Sequence, residues 1–353
     1  MLLALVGLLG QVSQGQGAMP CTTSTAECTG WVTLAGGPAR SMVYRTYPLD
    51  KRNTAITRAF ILVHGTNRNA DRYFATATAA AFLGGALTDT IVVAPHIVSN
   101  DRGCMDKLEP NEVSYSCGGD SWRSGGTSTS NPDLTSFDFM DEILRTLANK
   151  SNFPNLRAIV VAGHSAGGQF VTRYEMANHV HDTLGVAVSY VVANPSSYAW
   201  PDATRAQAVD DAVAAGAKDG WLLETPHTKF TYGPFDAEAA KCPNYNRWPL
   251  GLTERTGGYT AKISDEQLKK QLVSRPTTYL LGQVDTLPLG GFDSSCSAMA
   301  QGPTRRSRGE AFVKFVNETM GAKHGVQIVP ECGHNDRCIF TTDQVFPVIF
   351  PKP

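Results

Sequence analysis

Three residues of this sequence have the chemistry of a nucleophile, an acid and a base, and they occur in that order. Ser165 lies in the motif G-H-S-A-G, Asp285 ends the motif G-Q-V-D, and His334 follows C-G. A serine hydroxyl is a weak nucleophile at neutral pH, so it needs a histidine that accepts its proton and a carboxylate that orients the histidine. The sequence therefore predicts nucleophilic catalysis by Ser165, Asp285 and His334.

The residues around Ser165 predict a sharp turn between a strand and a helix. Apolar, mostly β-branched residues at 158–162 precede the motif, and residues 169–176 have a helical pattern. A glycine-flanked serine between a strand and a helix is the context of a nucleophile elbow, which lifts the serine Oγ clear of the sheet. The strand and helix converge there, and Gly163 and Gly167 provide the small residues that this convergence requires.

The acid has rivals in the sequence. Asp285 directly follows a predicted strand, but Asp293 lies further along the same loop and Asp202 follows the preceding strand. Asp336 is a candidate for supporting His334, although it is too near in sequence to be the first choice for the acid. We therefore expect Asp285 to orient the histidine.

An oxyanion hole requires two backbone N–H groups that point at the developing negative charge. The amide of Ala166, directly after the nucleophile, is the first candidate. The second is expected from the turn after the strand that ends at His64, with Thr66 favoured and Asn67 as the alternative. His64 and His164 are predicted to be structural residues.

Strands and helices must alternate along the chain to position these residues. The predicted strands are 42–47 (as an early edge strand), 58–64, 90–95, 158–162, 185–193, 277–281 and 325–329, and the predicted helices are 70–87, 136–147, 169–176, 203–217, one from about 264, and 303–320. Alternation of this kind predicts an α/β fold with a mostly parallel central sheet and helices on both faces. The carboxyl ends of parallel strands share one edge, where ligands bind.

Residues 18–353 are predicted to form one domain, with residues 195–275 as a cap-like insertion over the active site. The segment 96–131 is a long polar stretch with little periodicity, and a stretch of this length in a compact domain is usually functional. Three tryptophans in these segments, Trp122, Trp200 and Trp248, are candidate substrate-binding residues. Aromatic walls would suit an apolar or aromatic ester.

Residues 1–17 resemble a secretory signal peptide, in which a short apolar run precedes small and polar residues, although the usual positive charge at its start is missing. An apolar N-terminus of a cytosolic protein is the alternative. An even number of cysteines in a chain with such a start favours disulfides and an oxidising compartment. From proximity in sequence, the predicted pairs are Cys21–Cys28, Cys104–Cys117, Cys242–Cys296 and Cys332–Cys338. A secreted protein, extracellular or periplasmic, is therefore expected.

The charge balance excludes several classes of partner. The 31 lysines and arginines nearly equal the 32 aspartates and glutamates among 353 residues, so no basic field is available for nucleic acid or an anionic membrane. The cysteine spacings do not match zinc sites, and His179 and His181 are two residues apart and would diverge on a helix. The sequence predicts no metal, no cofactor and no membrane span, and it does not indicate the oligomeric state.

Taken together, the H-G turn after a strand, the G-H-S-A-G and G-Q-V-D motifs and the G-H pair at His334 resemble the α/β-hydrolase superfamily. The chain is similar to secreted bacterial or fungal serine esterases such as feruloyl esterases and polyhydroxyalkanoate depolymerases. This resemblance implies hydrolysis of a small or polymeric ester through an acyl-enzyme, without a cofactor. Amide or peptide hydrolysis by the same triad, or a non-catalytic binding protein of this fold, are the alternatives.

Overall fold

Eight strands form one sheet at the centre of the computed structural model, which describes residues 19–101, 103–119, 121–208, 229–255 and 257–352. The strands of the described chain are β1 (Thr29–Thr33), β2 (Arg40–Arg45), β3 (Arg58–Val63), β4 (Thr90–Pro95), β5 (Ala158–His164), β6 (Ala187–Ala193), β7 (Thr204–Ala208), β8 (Phe230–Pro234), β9 (Thr277–Gly282) and β10 (Gly325–Val329). The order in the large sheet is β1-β2-β4-β3-β5-β6-β9-β10, and β7 pairs with β8 separately.

All strand pairs from β4 to β10 in the large sheet are parallel, whereas β1–β2 and β2–β4 are antiparallel. The predicted mostly parallel sheet is thus confirmed. The parallel order places the carboxyl ends of β3, β5, β6, β9 and β10 along one edge. The loops that carry the candidate site residues leave from this edge.

Helices cover both faces of the sheet. They are α1 (Ala70–Leu83), α2 (Ser136–Ala148), α3 (Ala166–Ala177), α4 (Asp265–Ser274), α5 (Cys296–Met299), α6 (Arg305–Lys314), α7 (Asp336–Phe340) and α8 (Phe346–Ile349). Successive residues of β3 enter opposite cores: Ile61 and Val63 pack with α2, α3, α4 and α6, while Phe60 and Leu62 pack with α1, α7 and α8. Burial on both faces explains why the central strands read as continuous apolar runs.

Several predicted elements differ from the structure in type or extent. The prediction of a helix at 203–217 is wrong for its first residues, because Thr204–Ala208 forms β7 and pairs antiparallel with β8. Residues 209–217 lie outside the described residues. The long-range ladder with β8 outweighs the helix preference of the alanines. The edge strand expected at 42–47 corresponds to β2, but β1 covers its outer side.

The helix expected at 303–320 is also shorter than predicted, since α6 ends at Lys314 and a π turn, Phe315–Thr319, follows. The segment 195–275 contains β7, β8 and α4. Its role as a cover over the site stays a prediction, as does the signal peptide at 1–17, which lies outside the described residues.

Four disulfides join the eight cysteines in nearest-neighbour pairs, namely Cys21–Cys28, Cys104–Cys117, Cys242–Cys296 and Cys332–Cys338. One of them, Cys332–Cys338, closes a short loop with five residues between the cysteines, among them His334. Bridges of this number are characteristic of oxidising compartments.

A fully buried carboxylate lies beneath the sheet in α3. Glu175 accepts hydrogen bonds from Thr277 Oγ1 at 2.5 Å and Tyr279 Oη at 3.3 Å. Burial raises its pKa from 4.5 to about 8, although these two hydroxyls act in the opposite direction. The folded protein therefore holds this proton more tightly than the unfolded chain does, and this contribution to stability is lost as pH rises from about 4.5 through about 8.

Replacing Glu175 by glutamine is expected to remove that loss, because the amide oxygen still accepts hydrogen bonds and no charge forms. The melting temperature of the wild type should fall between pH 5 and pH 8.5 by a few degrees more than that of Glu175→Gln. Differential scanning calorimetry at both pH values measures this. Glu266→Gln, at an exposed position on α4, is the control and should follow the wild type. Parallel curves for Glu175→Gln and the wild type would contradict the prediction.

Candidate active site

Ser165 occupies a turn between the end of β5 and the start of α3. Its backbone has φ 60° and ψ −119°, a conformation that residues other than glycine rarely adopt. The residue is 8% exposed. The strain is of the kind that clusters at functional sites, where surrounding packing maintains it. The turn places the hydroxyl at the edge of the sheet.

Close backbone contacts explain the glycines around Ser165. A Cβ on Gly163 would lie 2.1 Å from the carbonyl oxygen of Gly167, and a Cβ on Gly167 would lie 2.2 Å from that of Val63. Neither contact is sterically allowed. The G-x-S-x-G spacing in this chain is therefore a requirement of strand-to-helix packing.

Ser165, His334 and Asp285 form a continuous chain of hydrogen bonds. Ser165 Oγ lies 2.9 Å from His334 Nε2, and His334 Nδ1 lies 2.8 Å from Asp285 Oδ2. The Asp285 side chain is 1% exposed and that of His334 is 12% exposed. A carboxylate at Nδ1 selects the tautomer with its proton on that nitrogen, so Nε2 is available to accept the serine proton.

The rival acids bind elsewhere. Asp293 Oδ1 accepts the backbone N–H of Ser295 at 3.0 Å, and Asp202 Oδ1 accepts the N–H and hydroxyl of Thr204 at 2.8 and 2.6 Å. Both carboxylates act as local turn and cap acceptors. Asp285 is the one of these three that the structure brings to His334.

The turn after β3 is held by His64. Its Nδ1–H donates to the Gly65 carbonyl at 2.9 Å, and its Nε2 accepts the backbone N–H of Ile97 at 3.2 Å. Burial lowers the pKa of His64 to about 3, so the ring is neutral at physiological pH. It therefore joins the β3 turn to the segment after β4, the structural part predicted for it.

A cavity of about 300 Å³ opens at Ser165. It is lined by Gly65, Thr66, Asn67, Asn69, Arg72, Tyr73, His164, Ser165, Gly290, Gly291, His334 and Asp336. Among the described residues, none of these belongs to segment 195–275. Arg72 Nη2 forms an ion pair with Asp336 Oδ1 at 2.7 Å, and Asp336 Oδ2 accepts the hydroxyl of Thr76 at the same distance. Asp336 thus ties α7 to α1 instead of bonding to His334.

Two of the three residues whose amides are expected to bind an oxyanion line this cavity. Thr66 and Asn67 line it, and Ala166 begins α3 directly after the nucleophile. Backbone N–H groups of the first turn of a helix have no partner within the helix and carry partial positive charge. The Ala166 N–H therefore stays the first candidate donor, and a second donor from the turn after β3 stays a prediction.

Sequence comparison supplies the family. The chain matches the model of the alpha/beta hydrolase family over residues 60–346. It belongs to the α/β hydrolase family. No curated protein matches the sequence.

Two solved structures have the same fold as this α/β hydrolase. LpqC, a poly(3-hydroxybutyrate) depolymerase from Bordetella parapertussis, is 20% identical with a TM-score of 0.56, covering 88% of this chain and 84% of its own. Poly(aspartic acid) hydrolase-1 from Sphingomonas sp. KT-1 is 21% identical with a TM-score of 0.57, and the match covers 88% of this chain and 95% of that protein. At these identities the likeness establishes the fold alone.

The three candidate tryptophans do not line the cavity of this hydrolase. Trp122 is 1% exposed, with its ring 5.2 Å from that of His64, and Trp200 is fully buried 5.5 Å from the ring of Phe312. Trp248 borders a separate cavity of about 450 Å³. The walls at Ser165 instead include the polar residues Asn67, Asn69 and Arg72, and the sequence did not indicate the last two because they belong to no motif.

His164 packs between the hydrolase's nucleophile turn and α1. Its Nδ1 lies 3.0 Å from Tyr73 Oη, and its ring lies 4.7 Å from that of His334. Burial, and secondly the nearby His334, hold the pKa of His164 well below 6.5. The neutral imidazole of His164 therefore packs against the ring of His334 without placing a positive charge beside it.

Asn194 is a site residue that sequence reasoning missed. It follows β6 with φ 45°, its Oδ1 accepts the Gly282 N–H at 2.8 Å, and its Nδ2 donates to the Gly333 carbonyl at 3.2 Å. One side chain thus joins the ends of three strands and holds the loop of His334. The available signal was an asparagine at a strand end before proline, since asparagine tolerates the left-handed region.

Within the described ranges, no group of three or more His, Cys, Asp or Glu side chains is placed to hold a metal ion. The helices of the same ranges include none that is both long and apolar enough to cross a bilayer.

Proposed function

We propose that this α/β hydrolase is a secreted serine hydrolase that cleaves carboxylic esters through an acyl-enzyme. The observation that carries the proposal is the hydrogen-bonded chain from Ser165 Oγ through both nitrogens of His334 to Asp285 Oδ2. The four disulfides support export to an oxidising compartment.

In the first half of the reaction, Ser165 Oγ attacks the ester carbonyl carbon while His334 Nε2 accepts the hydroxyl proton. The carbonyl π bond becomes an oxyanion, and Asp285 stabilises the imidazolium. When the intermediate collapses, the bond to the alcohol oxygen breaks and His334 returns the proton to that oxygen. An acyl-Ser165 ester remains.

In the second half, His334 takes a proton from water and the resulting hydroxide oxygen attacks the acyl carbonyl. Collapse breaks the bond to Ser165 Oγ, which recovers its proton from His334, and the acid leaves. The amides of Ala166 and Thr66 hold the oxyanion in both halves, with Asn67 as the alternative to Thr66. Donors of this kind are worth about 3–4 kcal/mol of transition-state stabilisation each.

The polar cavity favours short acyl groups. Its volume of about 300 Å³ and its lining by Asn67, Asn69 and Arg72 leave little apolar surface for a long chain. We expect kcat/KM for p-nitrophenyl acetate and butyrate to exceed that for palmitate, because a cavity of this volume cannot enclose a palmitoyl chain, and methylenes left outside it gain no binding free energy. Initial rates across the series from acetate to palmitate measure this.

The same panel separates ester from amide hydrolysis. One structural neighbour is named as a depolymerase of poly(3-hydroxybutyrate) and another as a hydrolase of poly(aspartic acid), so both substrate classes are included. Aminoacyl p-nitroanilides provide the amide arm, with the Ser165→Ala protein as the blank. Activity on anilides without activity on any ester would overturn the ester proposal, and a preference for palmitate would contradict the short-acyl prediction.

A further inference from the structure

Arg305, the first residue of α6, is a buried cation directly behind Asp285. Its side chain is 0% exposed, and Nη1 lies 3.4 Å from Asp285 Oδ1. Its Nε donates to Ser196 Oγ at 2.8 Å, and Nη2 donates to the carbonyls of Leu289 and Gly290 at 2.7 and 2.9 Å. The guanidinium thus contacts the acid, the loop after β9 and the loop after β6.

The two oxygens of Asp285 have different partners. Oδ2 faces His334 and Oδ1 faces Arg305, so the carboxylate lies between the imidazole and the guanidinium. Burial lowers the pKa of Arg305 and Asp285 opposes that shift. An arginine remains protonated throughout the working pH range.

The loop that Arg305 holds lies against His334. A Cβ on Gly290 would be 3.2 Å from His334 Cδ2, and Gly290 lines the cavity at Ser165. The position of the imidazole ring therefore depends on the path of this loop. Two of the four hydrogen-bonding partners of Arg305 are carbonyls of the loop.

We propose that Arg305 is a positioning residue of this hydrolase: its guanidinium pairs with Asp285 Oδ1 and so keeps Oδ2 directed at His334, and its other N–H donors hold the Leu289–Gly290 loop against the imidazole. This inference rests on the proposed function, because the reaction requires that pair. Lysine could supply the charge but not the fork, since an ammonium is a compact point donor.

The charge has a predictable effect on the pH profile. Besides Ser165 and Asp285, His334 faces the ring of His164, which burial keeps neutral, and shares the cavity with the Arg72–Asp336 ion pair. Removing the positive charge behind Asp285 makes it easier for the Asp285–His334 pair to take up a proton. The acid limb of kcat/KM, where this uptake inactivates the enzyme, therefore moves to higher pH.

The experiment compares Arg305→Gln, Arg305→Lys and Arg306→Gln over pH 5–9 with p-nitrophenyl acetate. Arg306 is the matched control, since it is also buried on α6 but donates to the Gln283 carbonyl at 2.7 Å. In Arg305→Gln we expect the acid-limb midpoint to rise by about one pH unit and kcat/KM at pH 8 to fall at least about tenfold. Arg305→Lys should lose activity with its midpoint unchanged, and Arg306→Gln should keep the midpoint of the wild type.

A second readout needs no substrate. The ring resonances of His334, assigned with His334→Gln, report the titration midpoint by NMR, which should rise in Arg305→Gln alone. An unshifted midpoint in folded Arg305→Gln would overturn the proposal even if esters are hydrolysed, whereas a shifted midpoint without ester hydrolysis would overturn the proposed function alone. If Arg305→Gln does not fold, unchanged kcat/KM in Arg305→Lys overturns the proposed loop contact.

Discussion

Replacing Ser165 by alanine is expected to reduce kcat for p-nitrophenyl acetate by about 10⁶-fold, leaving a protein that folds normally. The variant keeps the elbow and the oxyanion donors but has no atom that can form the acyl bond. Losses of this size are typical of removing the nucleophile of a triad. Steady-state kinetics measure the loss, and circular dichroism confirms the fold.

The triad also predicts how replacements of Ser165 and His334 combine. Because Ser165 and His334 act as one unit, the double variant Ser165→Ala/His334→Ala should lose no more activity than Ser165→Ala alone. A fluorophosphonate probe should label the wild type at the peptide that contains Ser165 and should not label the single variant. Retention of more than about a hundredth of the wild-type rate by Ser165→Ala would remove the nucleophile from the mechanism.

Replacing Asp285 by asparagine is expected to lower kcat by about 10⁴-fold at pH 7. The amide would present its NH₂ to His334 Nδ1, so the ring would carry its proton on Nε2 and could not accept the proton of Ser165. Asp285 Oδ2 lies 2.8 Å from Nδ1, and the side chain is 1% exposed, so the histidine depends on this carboxylate and not on bulk solvent for its orientation. Steady-state kinetics on the acetate ester check the size of the loss.

Two variants serve as matched controls for Asp285→Asn. Asp293→Asn and Asp202→Asn change the same functional group at acids that cap local turns. Each should keep kcat within about threefold of the wild type, because neither carboxylate contacts His334. A loss of about 10⁴-fold in either control, together with a near-normal rate for Asp285→Asn, would transfer the acid role to that residue.

Local sterics made several features predictable. The glycines around Ser165 are required by backbone contacts between β5, α3 and β3. The G-x-S-x-G motif therefore indicates this turn directly. Runs of apolar residues marked the strands because both faces of the sheet are covered. The same order of strands indicated that loops after β5, β9 and β10 would meet, and the structure brings Ser165, Asp285 and His334 within hydrogen-bonding distance.

Long-range strand pairing and side-chain packing could not be predicted from the sequence pattern. Thr204–Ala208 has the composition of a helix, and its strand exists because β8, more than twenty residues later, pairs with it. The tryptophans were predicted to line the site, because a sequence pattern does not distinguish an aromatic residue in the core from one at a cavity. Trp122 and Trp200 are buried and contact other rings.

The sequence by itself determined the elbow, the order of strands and helices, and the three residues with nucleophile, acid and base chemistry, because each depends on neighbours a few residues away. Only the tertiary structure decided which of three aspartates reaches His334, that polar residues of the β3 turn and α1 line the cavity, and that Arg305 stands behind Asp285. These arrangements join residues far apart in the chain, and their free energies depend on distances and burial that exist only after folding.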